Sequence, residues 1–150
     1  MNLTLRIETS NRRFIVKQAR PWVEKYDHIE APWDRMEYEC RFYERVQSIE
    51  GVGNRMPRLL AHDMSARAIV LEDLAPARDL TSIYQGQRLD SGVIDHLADY
   101  LARLHETTRC TNLADFTNEA MKRLNHEHIF IVPLIGWEGR DLDKLEPGFQ

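Results

Sequence analysis

Cysteine is almost absent from this chain. Of its 150 residues only Cys40 and Cys110 are cysteines. They lie far apart and fit no metal-ligand spacing, which excludes a disulfide scaffold and a zinc-finger arrangement. They read as reduced thiols, and the expected location is cytoplasmic. Glycine and proline are sparse, at seven and six residues, so the chain is neither collagen-like nor of low complexity. Long apolar runs are also missing. The longest charge-free one, around Ile129 to Trp137, is about half of the ~20 residues that a membrane helix needs. No membrane partner is expected. Arg6 and Glu8 interrupt the first apolar segment, so it does not read as a signal peptide. Basic residues number 20 against 24 acidic ones, a formal net charge of −4. No basic stripe stands out, which argues against a nucleic-acid partner.

Several catalytic signatures are absent as well. There is no Gly-x-Ser-x-Gly elbow, the turn that exposes a nucleophilic serine. The His-Glu-x-x-His pattern of metalloproteases is missing. His126 and His128 stand two apart and do not share a helix face, so they make a poor chelate. His105 ends an apparent helix, where a cation suits the dipole.

What is present is a clear sequence of elements. Leu3, Leu5 and Ile7 alternate with Thr4, Arg6 and Glu8, which predicts a strand over 2–9 with one buried face. A polar turn follows, then a second strand, Phe-Ile-Val-Lys-Gln-Ala at 14–19, to complete an antiparallel hairpin. Pro21 and Pro32 break up the next segment, which reads as a loop with Trp22, Tyr26 and Trp33 covering a sheet edge. A helix is predicted over 33–51, started by Asp34 and stopped by Gly51. Met36, Cys40, Tyr43 and Val46 or Gln47 share its apolar face, and Glu39 falls on that face too. Glu37 and Glu44 point elsewhere. Gly51 and Gly53 follow this helix rather than open one, so they read as a helix stop and not a phosphate loop. A second hairpin is predicted from 58–64 and 68–74, then a short linker at 75–78. Helices follow, the longest over 91–108, capped by Ser91 with a stripe of Val93, Leu97, Tyr100, Leu101 and Leu104. A shorter helix is predicted at 118–128, and Ile129 to Pro133 as extended. Strands first and helices afterwards give an α+β class with two lobes.

Lys17 closes the apolar run of the second strand. A cation there needs a partner, and the inward Glu39 is the candidate. The bland reading is a lysine that snorkels from a sheet edge. The functional one is a lysine held by a glutamate so that it reaches nucleotide phosphates.

The order of parts extends the functional reading. Phe-Ile-Val-Lys-Gln-Ala at 14–19, Ile-Val-Leu-Glu-Asp-Leu at 69–74, and Leu-Ala-Asp-Tyr-Leu-Ala-Arg-Leu-His at 97–105 resemble the lysine strand, hinge and first large-lobe helix of a known family. That family is the aminoglycoside phosphotransferase and kinase-like superfamily of small-molecule kinases, methylthioribose kinases in particular. The resemblance implies a kinase-like small lobe at 1–74, a hinge at 75–78 and the start of a helical large lobe at 79–150. It implies ATP and Mg²⁺ as cofactors and a small-molecule acceptor. Lys17 would touch the phosphates and Glu39 would position it, with Glu37 the weaker candidate. The backbone at Glu72, Asp73 and Leu74 would bond the adenine edge, and Leu5, Ile15 and Leu71 would sandwich the base. The family's glycine-rich turn is expected before Met1, and its catalytic Asp and metal ligands beyond Gln150. The expectation is therefore an N-terminal part of a kinase, inactive alone and open to self-association through an incomplete large lobe. The alternative expectation is a non-catalytic nucleotide-binding or interaction module.

Overall fold

A computed structural model describes residues 2–109 and 112–132. The chain is α+β. Four antiparallel strands form its main sheet. Strand β1 (Asn2–Glu8) pairs with β2 (Arg13–Ala19) along its whole length. Strand β6 (Ala68–Glu72) lies on the other side of β2, and β5 (Leu59–Asp63) pairs outside it. Each hairpin is closed by a polar turn. In the first, the Thr9 hydroxyl accepts from the Arg12 backbone N–H at 3.0 Å. In the second, the Asp63 carboxylate accepts from the backbone of Ser65 and Ala66. These side chains replace water as partners for turn N–H groups.

Helix α1 (Arg35–Val46) lies on one face of this sheet. Cross-strand partners share a face, so register decides which residues meet the helix. Ile15 pairs with Leu71, Lys17 with Ile69, and Thr4 with Lys17. The core beneath α1 is Ala19, Met36, Cys40, Ile69 and Leu71, with Ile15, Tyr43, Leu59 and Met64 packed at its edge. Leu5 pairs with Val16, which pairs with Val70, and these belong to the opposite face. Leu5 is 45% exposed. The alternation expected for β1 is correct, but its apolar side is not the one under the helix.

Four further expectations are corrected. The segment between Pro21 and Pro32 is not a loop: β3 (Trp22–Val23) and β4 (Tyr26–Glu30) form a small hairpin. Helix α1 ends at Val46, well before Gly51, because the chain tightens into a three-residue bond from Ile49 N–H to the Val46 carbonyl. Gly51 instead adopts φ +77 in the turn that follows. Helix α2 (Ser91–Thr108) is capped by Asp90, not Ser91; the carboxylate accepts from Gly92 N–H at 2.9 Å. Helix α3 (Glu119–His126) continues into a wide π turn over Glu127–Ile131, so Ile129 to Val132 are helical rather than extended. Pro133 and the tail beyond it lie outside the described residues, as does Cys110.

After β6 the chain passes through 73–80 and a 3-10 turn (Thr81–Gln85) into α2. Polar contacts tie α2 to the segment behind α1. Arg55 pairs with Asp99 at 2.9 Å, and the Tyr100 hydroxyl donates to the Met56 sulfur at 3.1 Å. The α2 stripe is only partly covered: Val93, Leu97 and Leu101 are 38%, 51% and 42% exposed. Among the described residues no helix is long and apolar enough to cross a membrane.

Candidate functional site

Lys17 stands on the helix-facing side of β2, between Ile15 and Ala19. That placement runs its aliphatic stem along the core and leaves the ammonium to find an anion. Glu39 supplies it. The Lys17 Nζ donates to Glu39 Oε1, and both side chains are about three-quarters buried. Helical spacing from Met36 and Tyr43 turns Glu39 inward. Glu37 is engaged elsewhere, by Arg67 of the β5–β6 turn and by Arg41 one turn along α1. The structure therefore joins Lys17 to Glu39 and not to Glu37.

The pair is the centre of a short network. Asn2 Nδ2 donates to Glu39 Oε2 at 3.2 Å, and Arg35 Nε donates to Asn2 Oδ1 at 3.0 Å. Arg35 also donates to the Pro32 carbonyl at 2.5 Å and is only 7% exposed. Burial pushes its pKa down, opposed by the charges of Glu39 and Asp34. Tyr43, one turn beyond Glu39, has its phenol pushed up by burial, and further by the Glu39 charge and Tyr100. Both oxygens of the Glu39 carboxylate are thus held, which fixes where it presents charge to Lys17.

Glu72, Asp73 and Leu74 leave the sheet together but do different things. The Glu72 carboxylate accepts from the Arg58 backbone N–H and guanidinium, which hold its pKa below the usual range. Its own backbone N–H donates to the Arg58 carbonyl at 2.9 Å. The Asp73 side chain is buried, at 3% exposure. Its Oδ1 accepts from Ala75 N–H and from Arg6 Nη2, at 3.0 and 3.2 Å. Arg6 Nε lies 3.0 Å from Oδ2 but off the hydrogen-bond line, so that contact is ionic. The Leu74 carbonyl accepts from Ala77 N–H, and its side chain is 47% exposed. Both carboxylates are consumed in fastening the linker to β1 and to the start of β5, and the Glu72 N–H and Leu74 carbonyl are also bonded within the chain.

Of the three apolar residues expected around a base, Ile15 and Leu71 converge and Leu5 does not. Register places Leu5 on the other face of the sheet, and Leu71 is sealed in the core at 3% exposure. An open hollow of 560 Å³ lies away from Lys17, lined by Pro21, Ala31, Asp34, Arg123 and Leu124 among others. An apolar cavity of 260 Å³ separates α1 from α2, with Phe42, Val46, Leu104 and Phe116 in its walls.

Sequence reasoning missed Asn2 and Arg35 as members of the network, and Arg6 as the partner of Asp73. Arg35 did leave a signal. A cation in the first turn of a helix opposes the dipole, so it needs a specific partner. No family model, curated protein or solved structure matches this chain.

Proposed function

We propose that this chain is the nucleotide-binding part of an ATP-dependent phosphotransferase acting on a hydroxyl of a small molecule, of the sugar or aminoglycoside type. The observation that carries the reading is the Lys17–Glu39 pair. A strand lysine held by a helical glutamate gives a point cation with a fixed position. Phosphoryl transfer needs such positioned charge more than it needs covalent chemistry. In this reading 1–74 is the small lobe, 75–78 the hinge and 79–150 the start of the large lobe.

The residues fit ATP at two places. The Lys17 side chain keeps about a quarter of its surface open, enough for its ammonium to meet a phosphate oxygen. In this reading the adenine edge is served by backbone groups around 72–74 other than the Glu72 N–H and the Leu74 carbonyl, which already bond within the chain. Mg²⁺ fits none of these residues. Glu39, Glu72 and Asp73 each face a lysine or arginine, so no carboxylate of the site is free to ligate a cation. Neither the catalytic base nor a metal ligand is assigned to these side chains. That same neutralisation favours the second reading, a module that binds nucleotide and performs no chemistry. The exposed stripe of α2 supports a covering partner, either further chain or a second copy.

The test is binding of ATP and adenosine to the chain and to Lys17→Ala, followed by displacement of a fluorescent nucleotide. Phosphate contact at Lys17 requires the variant to lose affinity for ATP while keeping that for adenosine. Equal affinities of the two proteins for ATP would defeat the reading.

A further inference from the structure

One side-chain cluster lies outside the network just described and answers to a different chemistry. Cys40 and Glu44 are one turn apart on α1, at the i, i+4 spacing that brings two side chains to one face. His62 reaches the same point from β5. One ligand atom from each, Sγ, a carboxylate oxygen and an imidazole nitrogen, lies within 4.8 Å of the other two. His62 Nε2 is already 3.5 Å from Glu44 Oε1. A hollow of 350 Å³ opens over them, with Met64, Glu37 and Arg41 on its walls.

We propose that Cys40, Glu44 and His62 form a three-ligand site for a zinc-class divalent ion, with a fourth position open to the hollow. Tetrahedral zinc bonds of about 2.0–2.3 Å set ligand atoms about 3.5 Å apart. The Glu44–His62 distance has that value. The imidazole and carboxylate are about half exposed, so rotation at their own side chains brings them to the sulfur without disturbing the core. Sulfur with imidazole selects zinc, cobalt or copper over magnesium and calcium, which require oxygen ligands. Charge also balances: thiolate and carboxylate contribute two negatives and the ion two positives, so the half-buried site is neutral when filled. The bond formed is metal to sulfur, the bond broken is sulfur to hydrogen, and the proton leaves to solvent. The thiol now holds its proton firmly, because burial and the Glu44 carboxylate raise its pKa. The Arg41 charge opposes that rise, and Glu37 on the wall of the hollow pairs with Arg41 at 3.6 Å and with Arg67. A bound ion would join α1 to β5 and so brace the helix that carries Glu39. The inference does not depend on the proposed nucleotide function.

The probe is Co²⁺ alone, added to the reduced 150-residue protein and followed by its thiolate-to-cobalt charge-transfer absorption. One equivalent should give the band in the wild type and in Cys110→Ser. Cys40→Ser should abolish it. Cys40 belongs to the core, so Glu44→Gln and His62→Ala, both surface changes, carry the same test with less risk to the fold. Each should weaken binding by more than about tenfold, the loss that even an outer-shell partner produces. Zn²⁺ should displace the cobalt and raise the melting temperature of the wild type but not of His62→Ala. No band in the wild type would overturn the proposal. So would a band that survives Cys40→Ser, or one that Glu44→Gln and His62→Ala leave unchanged, since that would mark a lone thiol binding metal adventitiously.

Discussion

Removing the carboxylate opposite Lys17 isolates the interaction on which the site is built. The perturbations are Glu39→Gln, Lys17→Met and the pair together. Glutamine keeps the size of glutamate and can still serve Asn2, while methionine keeps the aliphatic stem that packs beside Ile15 and Ala19. An exposed ion pair contributes about 0–1 kcal/mol, and breaking a fully buried one by removing a single partner costs about 3–5 kcal/mol. With side chains 25% and 24% exposed, the Lys17–Glu39 coupling should fall between these limits, at about 1–2 kcal/mol. The assay is urea unfolding of the four proteins, with the coupling taken from the double-mutant cycle. Each single variant should be destabilised, and the double should be less destabilised than the sum. Both single variants should also lose nucleotide affinity, whereas Glu37→Gln, paired with Arg67 and Arg41, should not. Additive effects within about 0.5 kcal/mol would refute the reasoning, because two groups in contact in a low-dielectric setting cannot be independent.

Gly53→Ala should destabilise the fold by about 1–3 kcal/mol, because a Cβ there would lie 2.1 Å from the Gln47 carbonyl oxygen, which is backbone and cannot swing away. Gly86→Ala meets nothing within 4 Å but sits at φ +84, so it should cost only about 1 kcal/mol; urea midpoints in the reverse order would contradict this. Acid should also weaken the chain. Arg58 holds the Glu72 carboxyl below its unfolded value, and Arg103 with Arg55 does the same for Asp99. Groups depressed in the folded state contribute their stability above the unfolded pKa and lose it as pH falls through the folded one, since the unfolded chain then binds more protons. Melting temperature should therefore decline below about pH 4, with a shallower slope in Asp99→Asn; an identical slope would remove Asp99 from the explanation.

The parts of this molecule that follow from periodicity were legible in its sequence. Alternation marks β1 and β2, and the 3, 4, 3 spacing of Met36, Glu39 and Tyr43 turns a glutamate toward the sheet. Those two facts make Lys17–Glu39 a candidate pair, and the contact forms because α1 lies on the face of β2 that carries Lys17. The hairpin of β3 and β4 was not legible. Val23 pairs with Tyr26 across Glu24 and Lys25, and neither residue carries the glycine or asparagine signal of a two-residue turn. The face of β1 was misread for another reason. Both faces of the sheet carry apolar residues, and only the register with β2 and β6 decides which side α1 covers. Arg6 exemplifies what tertiary structure adds: nothing local connects it to Asp73, which it meets across the sheet at 3.0 Å. The cluster of Cys40, Glu44 and His62 is equally non-local, with two residues from a helix and one from a strand that follows it.

The most direct measurement is a thermal melt of the chain with and without Mg-ATP, run beside Lys17→Ala. At about one hundred times its dissociation constant, nucleotide should add roughly 2.7 kcal/mol of stability. The expected result is a raised melting temperature for the wild type and little or no rise for Lys17→Ala, with both proteins folded before nucleotide is added. An equal rise in the two, or none in the wild type, would mean that Lys17 and Glu39 hold the sheet to its helix and do not answer to phosphate.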